Sequence, residues 1–125
     1  MKLTQAYLNE IVKFFFTLQM LNKLYHWNTT SYATHKATDE FNSSLSSIVD
    51  KFVEVIIGRY NIKPLVDNIV IEPANLTELG FIEMLKRART YLENFNTIIT
   101  DSELLNIRDE LLASINQTIY LLRLK

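Results

Sequence analysis

Both prolines of the chain, Pro64 and Pro73, fall in one stretch running from Asn61 to Ala74. Proline removes a backbone donor and clashes with the preceding turn, so helices must lie on either side of that stretch. Only two glycines interrupt the rest, which leaves long runs for helical periodicity. Before the break, Thr4 is placed to cap a helix with Tyr7, Leu8, Ile11, Phe15 and Leu18 on its apolar side. That helix is expected to run to about Tyr25 or His26. The polar, capping-rich Asn28-Thr29-Thr30-Ser31 marks a turn. A second helix follows from about Tyr32 to Arg59 or Tyr60, with Phe41, Leu45, Ile48, Phe52 and Ile56 as its core stripe.

After the break, Asn75-Leu76-Thr77-Glu78 and Thr100-Asp101-Ser102-Glu103 both have the spacing of a capping box. The first opens a helix with Leu79, Ile82, Leu85, Leu92 and Phe95 as core. The second opens one lined by Leu104, Ile107, Leu111, Ile115, Ile119 and Leu122. Leu65 to Glu72 is rich in β-branched residues and passes for a strand. It has no partner strand, so it reads as a crossover, with at most a short helical turn. Two short connections and one long one give an all-α four-helix bundle with a single long crossover between helices 2 and 3. That is ferritin-like connectivity in one domain spanning residues 1–125.

Composition narrows the function classes. The net charge of −1 offers no broad electrostatic attraction for nucleic acid or an anionic membrane. Without cysteine there is no disulfide framework, zinc–thiolate site or thiol nucleophile. The start of the chain lacks a signal-peptide pattern and no apolar run is long enough to span a bilayer, so a cytoplasmic, membrane-free protein is expected.

The second helix carries a second face that its core role does not explain. At about 100° per residue, His35, Asp39, Asp50 and Glu54 share an arc of roughly 100°, well away from the apolar stripe. At about 1.5 Å per residue, Asp39 and Asp50 lie roughly 16 Å apart and His35 and Glu54 roughly 28 Å apart, too far to share an ion within one chain. Both pairs nevertheless have the same midpoint, between residues 44 and 45. A second copy lying antiparallel across a two-fold axis there would set His35 against Glu54 and Asp39 against Asp50. Asn42, Ser43, Ser46 and Ser47 near that axis are small enough to let two helices approach. The expectation is a homodimer with two equivalent metal sites, each built between subunits. Taken singly, each His/Asp or Asp/Glu pair is equally well a solvated face; the joint symmetry is what singles the set out.

Tyr25-His26-Trp27-Asn28, followed by His35-x-x-x-Asp39 and Asp50-x-x-x-Glu54, resembles the ferroxidase signature of the Dps mini-ferritins. The resemblance covers residues 20 to 60. It implies a hollow homo-oligomer, typically dodecameric, that oxidises Fe(II) with hydrogen peroxide or oxygen, stores Fe(III) and protects against oxidative stress. By that resemblance His26, His35 and Asp39 of one subunit and Asp50 and Glu54 of its two-fold mate are catalytic and metal ligands for iron. Glu54 would bridge two ions, and Trp27 is a redox neighbour. Two departures stand out: the connection between His26 and His35 is about one helical turn shorter than the family's, and the lysine-rich tail that contacts DNA in several members is missing. DNA binding is accordingly not expected. Two other readings remain open at this level: a structural or interaction protein that keeps the bundle, and a metal buffer without turnover.

Overall fold

A computed structural model describes residues 3–71 and 76–124. The chain is all-α: α1 (Gln5–Asn28), α2 (Tyr32–Tyr60), α3 (Glu78–Glu93), a 3-10 turn (Asn94–Thr97) and α4 (Ser102–Leu122). The four helices pack as a bundle, with the loop 61–77 between α2 and α3. Thr34 at the start of α2 donates to Glu78 at the start of α3 (3.0 Å), so these two helices run parallel and the crossover returns the full length of the bundle. At the opposite end, Arg59 and Tyr60 meet Asp101 at the start of α4, which makes α2 and α4 antiparallel.

The termini follow local chemistry. Thr4, Ser31 and Thr77 each accept a backbone N–H three residues on, capping α1, α2 and α3. Thr77, rather than Asn75, is therefore the cap of α3; Asn75 lies outside the described residues. Asp101 sits at the N-cap of α4 but makes no cap hydrogen bond, because its carboxylate accepts from Tyr60 Oη–H (2.6 Å) and Arg59 Nε–H (3.1 Å) instead. Asn61 ends α2 in the left-handed region (φ 54°, ψ 39°), a conformation asparagine tolerates better than most residues. α1 runs to Asn28, two to three residues beyond the expected end, because Thr29 N–H still finds the Tyr25 carbonyl at 2.9 Å.

The crossover is neither strand nor helix over 61–71. It lies extended on α1, fixed by side chains: Gln5 donates to the Lys63 carbonyl, Leu65 N–H donates to Asn9 Oδ1 (2.8 Å), and Lys13 pairs with Asp67 (3.8 Å). Two residues of extended chain rise about 6.6 Å and four helical residues about 6 Å, so steps of two on one side match steps of four on the other. Ile62, Pro64 and Val66 turn inward between these tethers. This is why the segment has a strand's periodicity without a strand's partner.

Five phenylalanines fill the centre. Phe52 meets Phe15 edge-on (5.6 Å) and Phe95 at 5.7 Å, and Phe41 and Phe81 are as fully buried. All six expected core residues of α4 are buried. Leu79 is not core: it is 76% exposed, since it lies in the first turn of α3, outside the stripe set by Phe81, Ile82 and Leu85. Ile48 is half-buried while Val49 takes the inner position. Arg108 is buried, donating from Nη1 to the Leu92 carbonyl (2.9 Å) and Asn96 Oδ1 (2.6 Å). Its guanidinium thus closes the carboxyl end of α3. No described helix is long and apolar enough to cross a membrane.

Candidate metal site

The short Thr29-Thr30-Ser31 connection places the last turn of α1 directly against the first turn of α2, and there the two histidines interlock. His26 Nδ1–H donates to the His35 carbonyl at 2.9 Å, and His35 Nδ1–H donates to the His26 carbonyl at 3.0 Å. The rings lie 3.8 Å apart and 19° from parallel. A backbone carbonyl only accepts, so both Nδ1 atoms carry the proton. In the neutral rings both Nε2 lone pairs are then left for another partner. Fixing one imidazole nitrogen on a carbonyl so that the other faces a metal is the usual support of a histidine ligand.

The stacking also restricts stoichiometry. A histidine lone pair lies in the plane of its ring, and the planes of two stacked rings only 19° from parallel, with centroids 3.8 Å apart, do not meet within a bonding distance of about 2.1 Å. The pair suits two ions, one per ring, and not one ion shared between them.

Beneath the histidines lies a polar rung that the sequence reading missed. Thr38 Oγ1 accepts from His26 Nδ1–H (3.0 Å) while donating to the Thr34 carbonyl (2.8 Å). Asn22, fully buried, donates to the Thr38 carbonyl (2.9 Å), and its Oδ1 has no partner. The available signal was polar residues inside the apolar arcs: Asn22 one turn before His26, and Thr38 three residues after His35.

Of the other candidates, His26 and Trp27 lie on α1 and the three carboxylates on α2. His26 is buried at 8% exposure, and the short connection is what brings it to His35. His35, Asp39, Asp50 and Glu54 are exposed, as are Ser43, Ser46 and Ser47 between them, with Asn42 half-buried. None of the three carboxylates has an ion-pair partner among the described residues. Within one chain, no group of three or more His, Asp or Glu side chains comes together among the described residues. The structure thus joins His26 to His35 and keeps Asp50 and Glu54 several turns away along the same helix. Trp27 is 65% exposed, with Lys23 Nζ 5.6 Å from its ring centroid, so it is a surface residue beside the histidines and not a packing residue.

A family model matches residues 26–122, from His26 to the end of α4. The chain belongs to the DUF5856 family. This is a family of unknown function, and no curated protein and no solved structure matches the chain. The match corrects the resemblance to the Dps mini-ferritins: the family that accounts for this DUF5856 chain is a different one, and no ferritin or Dps match accompanies it. The physical reason is that His-x-x-x-Asp and Asp-x-x-x-Glu are the spacing of one helical turn, open to any amphipathic helix. Motifs made of such spacings report a helix face more strongly than a lineage.

Proposed function

We propose that this DUF5856 protein binds ferrous iron through His26 and His35 and oxidises it at sites completed by a second copy across the outer face of α2. The reading is carried by the histidine clasp, in which both Nδ1–H groups are spent on backbone carbonyls and both Nε2 atoms remain open. Asp39, one turn beyond His35 on α2 and not gathered with the histidines in a single chain, would add an oxygen on assembly, and Asp50 and Glu54 would arrive from the partner. Imidazole and carboxylate are suitable ligands for ferrous iron, and anionic oxygens favour the ferric product over the reactant. The balance is two Fe(II) giving one electron each to hydrogen peroxide, which takes up two protons and leaves as two waters; oxygen is the other oxidant class. The hollow twelve-subunit shell and its mineral store are implied by the corrected resemblance alone and have no support of their own.

The test uses two inactive parents, His26→Ala/His35→Ala and Asp50→Ala/Glu54→Ala, each checked for helix content. Unfolded and refolded together, half the dimers should be mixed, with one complete site of two, so the mixture should recover about a quarter of the wild-type ferrous oxidation rate. A mixture that forms mixed dimers and stays inactive refutes the shared site. A second reading, an association module without turnover, is favoured by Phe16, Met20, Leu24 and Trp27. These four share an arc of about 80° on the outer side of α1 and are all exposed. Intact dimers in the His26→Ala/His35→Ala variant, together with no ferrous oxidation by the wild type, would select it.

A further inference from the structure

The seam between α1 and α3 is bridged by aromatic pairs at two separate points. At one end the rings of Phe14 and Tyr91 meet at 4.2 Å, and at the other Tyr25 stacks on Phe81 at 4.6 Å. Residues 14 and 25 are about 16 Å apart along α1. These aromatic pairs act as spacers that hold the two helices apart. Between them α3 offers Met84 and Ala88, the latter with a single methyl group, and α1 offers Thr17, Leu18 and Leu21. The unfilled middle is an open groove of about 270 Å³.

Its chemistry is one-sided. Apolar side chains line it, and the single charged group is Arg87 at its edge. The neighbouring cations on the same helix are occupied: Lys86 holds Glu83 at 3.2 Å and Arg89 holds Asn116 at 2.8 Å. Arg87 has no hydrogen-bond or ion-pair partner among the described residues. Charge complementarity therefore selects the occupant. We propose that the α1/α3 groove binds a medium-chain carboxylate, its tail lying between Ala88 and Leu21 and its head on the Arg87 guanidinium. At about 30 Å³ per water-sized group, the groove takes roughly nine heavy atoms, the size of a decanoate tail. A planar guanidinium is suited to grip a carboxylate with two parallel hydrogen bonds. This inference does not depend on the metal reading, since the groove faces away from the histidines across α1.

Decanoate, titrated below its micelle concentration and followed by amide NMR shifts, should saturate at one per chain and move Thr17, Leu21 and Ala88. Arg87→Gln, a surface change that leaves the core intact, should weaken binding about tenfold. Uncharged decanol should bind wild type no better than decanoate binds Arg87→Gln. Ala88→Leu should fill the groove and abolish binding; if that variant unfolds, the shift map and Arg87→Gln decide. Binding that does not saturate, shifts that map elsewhere, or equal affinity for decanoate in wild type and Arg87→Gln would each overturn the proposal.

Discussion

The two ends of the bundle do the same mechanical work with different chemistry. At the α2/α4 end, Tyr60 and exposed Arg59 donate to Asp101, whose carboxylate is largely covered by them. At the α1/α2 end, His26, His35, Thr38 and Asn22 tie the helices through backbone carbonyls and a hydroxyl, and part of that network is fully buried. The Asp101 cluster uses both of its carboxylate oxygens on the tie. The histidine cluster leaves two imidazole nitrogens over. Spare donor or acceptor capacity in an otherwise well-tied junction is a better guide to function than the presence of polar residues, which both ends share.

The largest expected effect falls on the histidine end. His26→Ala removes a buried ring, its stacking on His35 and two hydrogen bonds, and leaves a void under the α1/α2 turn. A loss of about 2–4 kcal/mol in unfolding free energy by denaturant titration follows from the cavity and the lost bonds together. His35→Ala, at an exposed position, should cost less than half of that. Equal costs for the two would mean that the clasp acts as a single unit whose parts cannot be separated, and a double-mutant cycle would show it as strong coupling.

The Asp101 end should respond less, and to pH. The Tyr60 hydroxyl, and after it the Arg59 guanidinium, hold the Asp101 carboxyl below its usual range against the opposing effect of burial. A lowered folded-state pKa means that the stabilisation is fully present above the unfolded-state value. It is lost as pH falls from there through the folded-state value. Asp101→Asn should cost about 1 kcal/mol at neutral pH, after allowance for solvent screening. It should also flatten the acid limb of the stability–pH curve. If the variant keeps the wild-type acid limb, the tie contributes nothing through its charge.

This contrast also separates what the residues disclosed in advance from what they hid. Helix number, the crossover and the α4 core were legible because they follow from proline placement and apolar period, which act locally. The extent of α2, Tyr32–Tyr60, was legible for the same reason. Leu79 misled because it sits three residues before Ile82 but roughly 120° or more around the helix from Leu85 and Leu92, off the packed stripe. The Thr100 box misled because α4 starts one residue later, with Asp101 at the cap position and its carboxylate taken by Tyr60 and Arg59 from another helix. At the site, the exposed face of α2 was readable from angles alone, but the clasp was not. It needs the Thr29-Thr30-Ser31 turn to bring residues nine apart into reciprocal contact, and no single-helix projection contains that. The inter-subunit part of the site requires a second chain, so no contact within one copy bears on it.

The smallest effect is also the most discriminating. Asn22 is fully buried, donates to a carbonyl of Thr38 and leaves its own Oδ1 unpaired. That carbonyl belongs to a residue well inside α2, where the regular helical N–H four residues on already satisfies it. Asn22→Leu therefore removes one redundant hydrogen bond of about 1 kcal/mol and one desolvated, unpartnered carbonyl whose cost is about 1–3 kcal/mol. The two nearly cancel, and the side chains are close in volume, so stability should stay within about 1 kcal/mol of wild type or rise slightly. In a purely structural network that substitution is free to occur. If Asn22 instead positions Thr38, and through it His26, the variant should keep its melting temperature while ferrous affinity falls several-fold. A variant with both stability and ferrous affinity unchanged would confine the functional set to the histidines and the α2 carboxylates, and would leave Asn22 as a tolerated imperfection of the core.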